Sequence, residues 1–406
     1  MKMPPSYKIA LLFNASKAYD RQIISGVAAY LRTTRTTWNV FLEEDFYCRP
    51  ERMAQWQGDG IIADFDDPAI REALADSPLK VVGVGGSYAN PADYPTSVPY
   101  VATDNGGLIE MAYNRLVEVG LPRFALFSLP QGPGKRWATE RENAYLSLME
   151  RDMLTPEIYR GHNTSSDRWD DAVEHLTVWL QSLPKPIGII AVTDARARQL
   201  LQACLLAGIS VPEEVALVGI DDDPLSRLLT RIPLTSVIQG SEQMGGTAAH
   251  MLSQMLHGAR LGGTRVVVPP AGININATCQ HLPAPHPRVM RARHFIRQYA
   301  CLGIKAEQVA DYVGVSRSSL EKHFREEVGC TVHDEILRFK LRAATAILAS
   351  EPGNIAQVAL SCGFTSVQYM HTVFKRELGC TPRHYQDRAF AEGPPAPVNS
   401  NAHYLI

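Results

Sequence analysis

The 406-residue chain has no cysteine pattern that builds anything: Cys48, Cys204, Cys279, Cys301, Cys330, Cys362 and Cys380 are odd in number, scattered, and include no CxxC pair. Neither a disulfide framework nor a zinc site is expected, and reduced core thiols are the simplest reading. Long apolar runs are missing too. The run Ile9 to Phe13 is shorter than the roughly 7–15 residues of a secretory signal's apolar region. Nothing approaches the ~20 residues of a bilayer span. The expectation is a soluble cytoplasmic protein with no membrane partner. Charge of a single sign is absent, with a formal net of −2, and 45% hydrophobic against 20% charged residues exclude a largely disordered, collagen-like or coiled-coil chain. A cofactor fingerprint is also lacking. The stretch GVGGS from Gly83 has neither the Lys-Ser/Thr ending of a phosphate loop nor GxGxxG spacing, and reads as a turn. With no convergent nucleophile and base, no enzyme, metal or cofactor is expected.

What is present is too long for one ordinary domain, so two or three are expected. The charge is unevenly placed. His286 to Phe390 hold 15 Lys and Arg against 10 Asp and Glu, and the remainder holds 25 against 32. The first 280 residues alternate short apolar runs (Lys8–Phe13, Asn39–Leu42, Gly60–Ala63, Val81–Val84, Tyr100–Ala102, Arg123–Ser128, Gly188–Ala191, Val215–Val218) with amphipathic stretches such as Arg21–Leu31, Gly106–Val119, Glu140–Met149, Trp169–Gln181, Ala195–Ala207 and Met244–Leu256. This alternation predicts an α/β unit of two doubly wound parallel sheets with a ligand cleft between the lobes. The proline-rich QHLPAPHP from Gln280 marks a linker at 281–287. Beyond it strand signals vanish, and 288–390 reads as all-helical. A proline-rich tail covers 391–406.

Within the helical part, VADYVGVSRSSLEKHFREEVGCT from Val309 is repeated as VALSCGFTSVQYMHTVFKRELGCT from Val358. Gly314 pairs with Gly363 at an offset of 49, and Phe324 with Phe374 at 50, which predicts one extra residue in the later helix of the second copy. Each copy reads as helix, glycine turn, helix, with Ser316 or Thr365 as N-cap. The second helices carry Arg317, Glu321 and Lys322, or Gln368, His371 and Lys375, beside buried-type Leu320 and Phe324, or Tyr369 and Phe374. A helix of this kind fits a major groove, apolar side to the domain and polar side to bases and phosphates. The bland alternative is a bundle with solvated polar faces. Duplication, the glycines and the local positive charge favour duplex DNA.

The segment IAQVALSCGFTSVQYMHTVFKRELGCTPRHYQ from Ile355 resembles the AraC-type DNA-binding domain, with Ala356, Met370, His371 and Gln386 departing from the usual residues. The resemblance covers Pro287 to Phe390 and implies seven helices, two helix-turn-helix units joined by a long helix near Val332–Ala349. It implies DNA contact by Arg317, Ser318, Glu321 and Lys322 in the first unit, and by Ser366, Val367, Gln368, His371 and Thr372 in the second.

The first 280 residues, in stretches such as VATDNGGLIEMAYNRLVEVG from Val101, RENAYLSLM from Arg141 and PLTSVIQGSEQMGGTAAHML from Pro233, resemble the sugar-binding core of LacI-type repressors and periplasmic sugar-binding proteins. That resemblance implies lobe crossings near Asn105, Ser236 and Val266, and pocket residues Asp104, Arg141, Asp221 and Gln239. Thr193 stands where the family often has asparagine. Carboxylates and a guanidinium suit a sugar's hydroxyls, although an aspartate before a helix is also an ordinary N-cap. Strand-end logic adds Tyr19, Asp20 and Arg21 at the cleft mouth, with Trp137 and Glu140 opposite.

A C-terminal DNA-binding domain behind such a core, with YDRQIISGVAAYL at the start, resembles the xylose operon regulators of enteric bacteria along essentially the whole chain. That family implies a homodimeric transcriptional activator, responsive to D-xylose, acting on an operator with RNA polymerase at the promoter. A transport-type sugar-binding protein and a sugar-acting enzyme are the other classes weighed.

Overall fold

The computed structural model describes residues 6–34, 36–42, 56–132, 134–162, 166–280, 287–350 and 354–392. Cys48, linker residues 281–286 and the tail from 393 lie outside the described residues. The chain divides into two compact units, Met1–His281 and Leu282–Ile406.

The first unit holds two six-stranded sheets. One is built from β1 (Tyr7–Leu12), β2 (Trp38–Leu42), β3 (Gly60–Asp64), β4 (Lys80–Gly86), β5 (Tyr100–Thr103) and β11 (Arg265–Val268). Its order is β11-β5-β4-β3-β1-β2, parallel throughout. The other uses β6 (Phe124–Phe127), β7 (Ile158–Tyr159), β8 (Ile187–Ala191), β9 (Val215–Ile220), β10 (Thr235–Ile238) and β12 (Gly272–Asn274). Its order is β12-β10-β9-β8-β6-β7, with β12 antiparallel and the rest parallel. Strands such as GIIAD in β3 and VALVGI in β9 are buried at every residue, because helices cover both faces of a parallel sheet.

On the first sheet, α1 (Ala18–Thr33) and α8 (Ser241–Leu256) cover one face. They bury Ile23, Val27, Met244 and Leu252 against Ile9, Ile62 and Val82. These two helices cross closely, since a Cβ on Gly26 or Gly245 would run into the backbone carbonyl of Glu242 or Ile23. The short α2 (Pro68–Leu74) covers the other face with Ile70 and Leu74. On the second sheet, α3 (Asn105–Glu118) and α4 (Arg136–Arg151) pack one side, and α5 (Trp169–Ser182) and α6 (Asp194–Ala207) the other, with the short α7 (Pro224–Leu228) between β9 and β10.

The chain passes between lobes at Asp104, at Gln239–Gly240 and at Pro269–Ala271, the gaps between β5 and α3, β10 and α8, and β11 and β12. Ser236 and Val266 lie inside strands, and the chain leaves each sheet a few residues further on. The segment from Gly83, read as a turn from its glycines, is instead the buried end of β4. Glycine is needed there because neighbours crowd it: a Cβ on Gly83 would lie 2.8 Å from the Phe65 ring, and one on Gly85 2.5 Å from the Tyr100 hydroxyl.

The second unit consists of α9 (Pro287–Tyr299), α10 (Ala306–Val313), α11 (Arg317–Val328), α12 (Val332–Ser350), α13 (Ile355–Ser361), α14 (Val367–Leu378) and α15 (Pro382–Glu392), seven α-helices among the described residues. Two cores share the long α12. Val332 and Ile336 join Val309, Leu320 and Phe324, whereas Leu337, Ala344 and Leu348 join Val358, Met370 and Phe374. Phe324 and Phe374 are fully buried, each contributing about 1.5–3 kcal/mol of transfer free energy.

The repeat differs from the sequence reading in one respect. Helices α11 and α14 both have 12 residues, and their N-caps are Ser316 and Ser366, not Thr365. The extra residue of the second copy therefore lies in the turn between Gly363 and Ser366, where added length disturbs no helical register.

Candidate functional site

The cleft site is organised around Arg141, one turn into α4 and only 3% exposed. Its Nε donates to Asn105 Oδ1 at 2.9 Å, Nη2 to Gln239 Oε1 at 3.1 Å, and Nη1 to the Val192 carbonyl. Gln239 Nε2 in turn donates to Asp221 Oδ1. Asn105 opens α3 at the first crossing and Gln239 sits at the second, so the guanidinium binds both hinge strands to the second lobe. The Trp137 ring lies 4.8 Å from the Arg141 guanidinium carbon.

Asp221 follows β9 with φ +129°, and Asp222 has φ +51°. Backbone conformations so unfavourable for L-residues persist only where surrounding contacts hold them, commonly at binding turns. Burial raises the Asp221 carboxyl to about 6 despite the nearby Arg141 guanidinium. Asp194, at the start of α6, accepts from Ser236 Oγ at 2.7 Å and the Asp223 amide at 2.8 Å. Burial first, then the Asp221 charge, pushes it up to about 8.

The first lobe contributes the loop after β1 and the first turn of α1. Tyr19 bonds Thr103 Oγ1 at 2.9 Å through its hydroxyl, so its ring is pinned beside the crossing. Asp20 is fully buried, with Oδ2 accepting from the Asn14 amide at 2.6 Å and Oδ1 without a partner. Burial, reinforced by the Asp64 charge, pushes its carboxyl to about 7. Arg141 lies within electrostatic reach of Tyr19 and Asp66 across the cleft. Asn105 Nδ2 is a second buried polar atom lacking a partner. A buried polar atom left without a partner is costly unless a polar ligand meets it.

The remaining sequence candidates make contacts within the protein. Asp104 caps α3, accepting from the Gly107 amide at 2.8 Å, and it is Asn105 beside it that faces Arg141. Thr193 caps α6 through the Arg196 amide at 3.2 Å. Arg21 points to the Ala15 and Ser16 carbonyls and to Asp223 at 3.4 Å. Glu140 is half-buried, pushed upward by burial, and accepts from the Ala89 amide. Sequence reasoning did not bring forward Asn105, Asp64 or Asp194, nor Gln22, whose Nε2 donates to the Asp221 carbonyl at 2.8 Å. Asp64 ends β3, so strand-end logic alone would have found it.

In the second unit, Gly314 and Gly363 adopt φ +78° and +70° and turn the chain between helices. Ser316 and Ser366 cap α11 and α14, accepting from the Ser319 and Tyr369 amides. Ser318, Lys322, Gln368, Thr372 and Lys375 are exposed on these helices, and His371 is half-buried. Three candidates are partly committed elsewhere. Glu321 accepts from the Val332 amide at 3.3 Å, Arg317 pairs with Glu307, and Val367 packs on the second core.

A two-lobed ligand-binding unit combined with a duplicated helix-turn-helix unit defines a ligand-dependent transcription regulator. The XylR N-terminal domain family matches residues 8–106, the periplasmic binding protein-like domain 113–279, and the helix-turn-helix domain 309–388. The xylose operon regulatory protein of Escherichia coli (strain K12) is 46% identical over 381 residues, covering 94% of this chain and 97% of that protein. That of Haemophilus influenzae is 41% identical, covering 94% and 98%. A solved structure, described as a xylose-binding transcription activator, superposes with TM-score 0.84 at 44% identity, covering 95% of this chain and 99% of that one. The chain belongs to the xylose operon regulatory protein family, whose members are regulators and not enzymes.

Proposed function

We propose that D-xylose is the effector and that it occupies the cleft at Arg141, Asp221, Gln239, Asn105, Tyr19 and Asp20, switching a homodimer that activates transcription with RNA polymerase in the cytoplasm. The observation that carries the binding site is the buried Arg141 network with the unpaired Nδ2 of Asn105 within it, donors and acceptors of the kind a polyhydroxylated ligand needs. The choice of xylose is drawn from the relatives' names. A cleft fitted to a pentose would exclude the extra hydroxymethyl of a hexose, so calorimetric titration across a sugar panel should rank xylose first. Glucose binding as tightly as xylose contradicts the reading.

The two second helices of the DNA-binding unit enter successive major-groove segments, roughly 10.5 bp apart. If xylose favours the DNA-competent dimer, DNA must tighten xylose by the same factor, typically about 1–3 kcal/mol or 5- to 150-fold. The route between units is residues 271–287, which begin at the third crossing. Operator affinity of the intact chain with and without xylose is the deciding measurement, and no difference leaves two independent binders.

A further inference from the structure

Arg136 opens α4 in the second lobe, yet what its guanidinium touches belongs to the first. Nη2 donates to Asp66 Oδ1 at 2.6 Å and to the Gly86 carbonyl at 3.1 Å, with the Tyr100 hydroxyl at 3.4 Å. Nη1 donates to the Ser87 carbonyl, and the guanidinium carbon lies 3.5 Å from the centre of the Tyr88 ring. The other Asp66 oxygen accepts from the Gly86 amide at 2.8 Å, which fixes the carboxylate facing Arg136. The glycines at the end of β4 make the approach possible. A Cβ on Gly85 would lie 3.1 Å from Asp66, and one on Gly86 3.0 Å from the Trp137 Cβ.

This is not a surface ion pair. The side chains of Arg136 and Asp66 are 24% and 11% exposed, and the guanidinium combines a carboxylate, two carbonyls and an aromatic face, a geometry only arginine's planar fork supplies. The rest of α4 is anchored in the second-lobe core through Tyr145, Leu148 and Met149. Arg136 therefore cannot follow the first lobe unless the second moves with it. Each of these contacts joins protein atoms to protein atoms.

We infer that the Arg136 clasp on Asp66, Tyr88 and the Gly86–Ser87 carbonyls is a sugar-independent latch that sets the balance between open and closed lobes. Arg136 is on this view a positioning residue. A ligand shifts such a balance only by its differential affinity for the two states. Its apparent dissociation constant is the intrinsic one divided by the competent fraction, so cutting the closed fraction about tenfold weakens sugar binding about tenfold. Only that last consequence rests on the effector reading above.

The test uses the intact chain with spin labels carried at Asp76 and Glu150, which are exposed on the first and second lobes, and reads the distance between them without sugar. Arg136→Met should shift the distribution to longer distances. Asp66→Asn, which keeps the side-chain volume and protects against a folding artefact, should do the same. Saturating xylose should restore the short distance in both variants, at concentrations about tenfold higher than wild type needs, with the ranking of sugars unchanged. Sugar-free distributions identical to wild type in both variants overturn the latch. A shift in distance with no xylose response in any form keeps the latch and removes xylose as the effector.

Discussion

The two turn glycines of the repeated unit look equivalent in sequence, and their replacement by alanine should separate them. Gly314 has φ +78° with nothing within 4 Å of an added Cβ. Gly363 has φ +70°, and its Cβ would meet the Cys301 carbonyl oxygen at 2.5 Å, the Cys301 carbonyl carbon at 2.8 Å and the Gly303 amide nitrogen at 2.8 Å. Left-handed backbone alone costs an L-residue about 1–2 kcal/mol, so Gly314→Ala should lose that much. Gly363→Ala adds an overpacking cost of about 1–3 kcal/mol, since backbone cannot swing aside as a side chain can, giving roughly 2–5 kcal/mol in total. The Gly363 carbonyl also accepts from Lys340 Nζ at 2.7 Å, so displacing the turn strains the seam where α12 meets the second core. Urea unfolding followed by far-UV circular dichroism reads the loss. Tryptophan emission is an internal control, because all five tryptophans, Trp38, Trp56, Trp137, Trp169 and Trp179, lie in the first unit. Gly363→Ala should lower the helical transition further than Gly314→Ala and leave the tryptophan transition in place. Equal losses, within about 0.5 kcal/mol, would refute the close-approach argument.

Arg141→Ala strands Gln239, Asn105 and Asp221 in a buried site and should weaken sugar binding by about 2–5 kcal/mol, with Asp221→Ala close behind. Undiminished calorimetric affinity in both removes the assignment. Alanine at Lys322 or Gln368 should cost operator binding about 1–3 kcal/mol and relax selectivity at distinct base positions if these side chains read bases. Uniform weakening across all sequences would assign them to the phosphates instead. Asp20 binds its proton more tightly folded, at about 7, than the ordinary carboxylate near 3.9 in the unfolded chain. The folded state therefore takes up more protons across that window, and stability falls as pH rises from about 4 to about 7. Asp20→Asn removes this term and should stabilise the first unit by about 1–4 kcal/mol at pH 8, with no gain at pH 4. A tryptophan-monitored difference independent of pH would contradict the burial argument.

The amino-acid sequence by itself determined the architecture, because periodicity and duplication are properties of the linear pattern. Strands such as Val215–Val218 and the helices around both turn glycines were legible from their apolar spacing. The strands at Thr235–Ile238, Arg265–Val268 and Gly272–Asn274 were not. They are short, and their pairing with distant strands supplies what local pattern does not. Sequence also brought Arg141, Asp221 and Gln239 forward, and these converge. Only the tertiary structure decided which neighbour of a pair does what. Asp104 and Asn105 are adjacent, but helix geometry turns the first back onto the Gly107 amide and leaves the second facing Arg141. Glycines that look like a turn in Gly83–Gly86 form a strand, because the rings of Phe65 and Tyr100 occupy the space a side chain would need. The Arg136 clasp was invisible for the same reason: its partners Asp66, Gly86, Ser87, Tyr88 and Tyr100 lie 36 to 70 residues away, and only the approach of the two lobes brings them together.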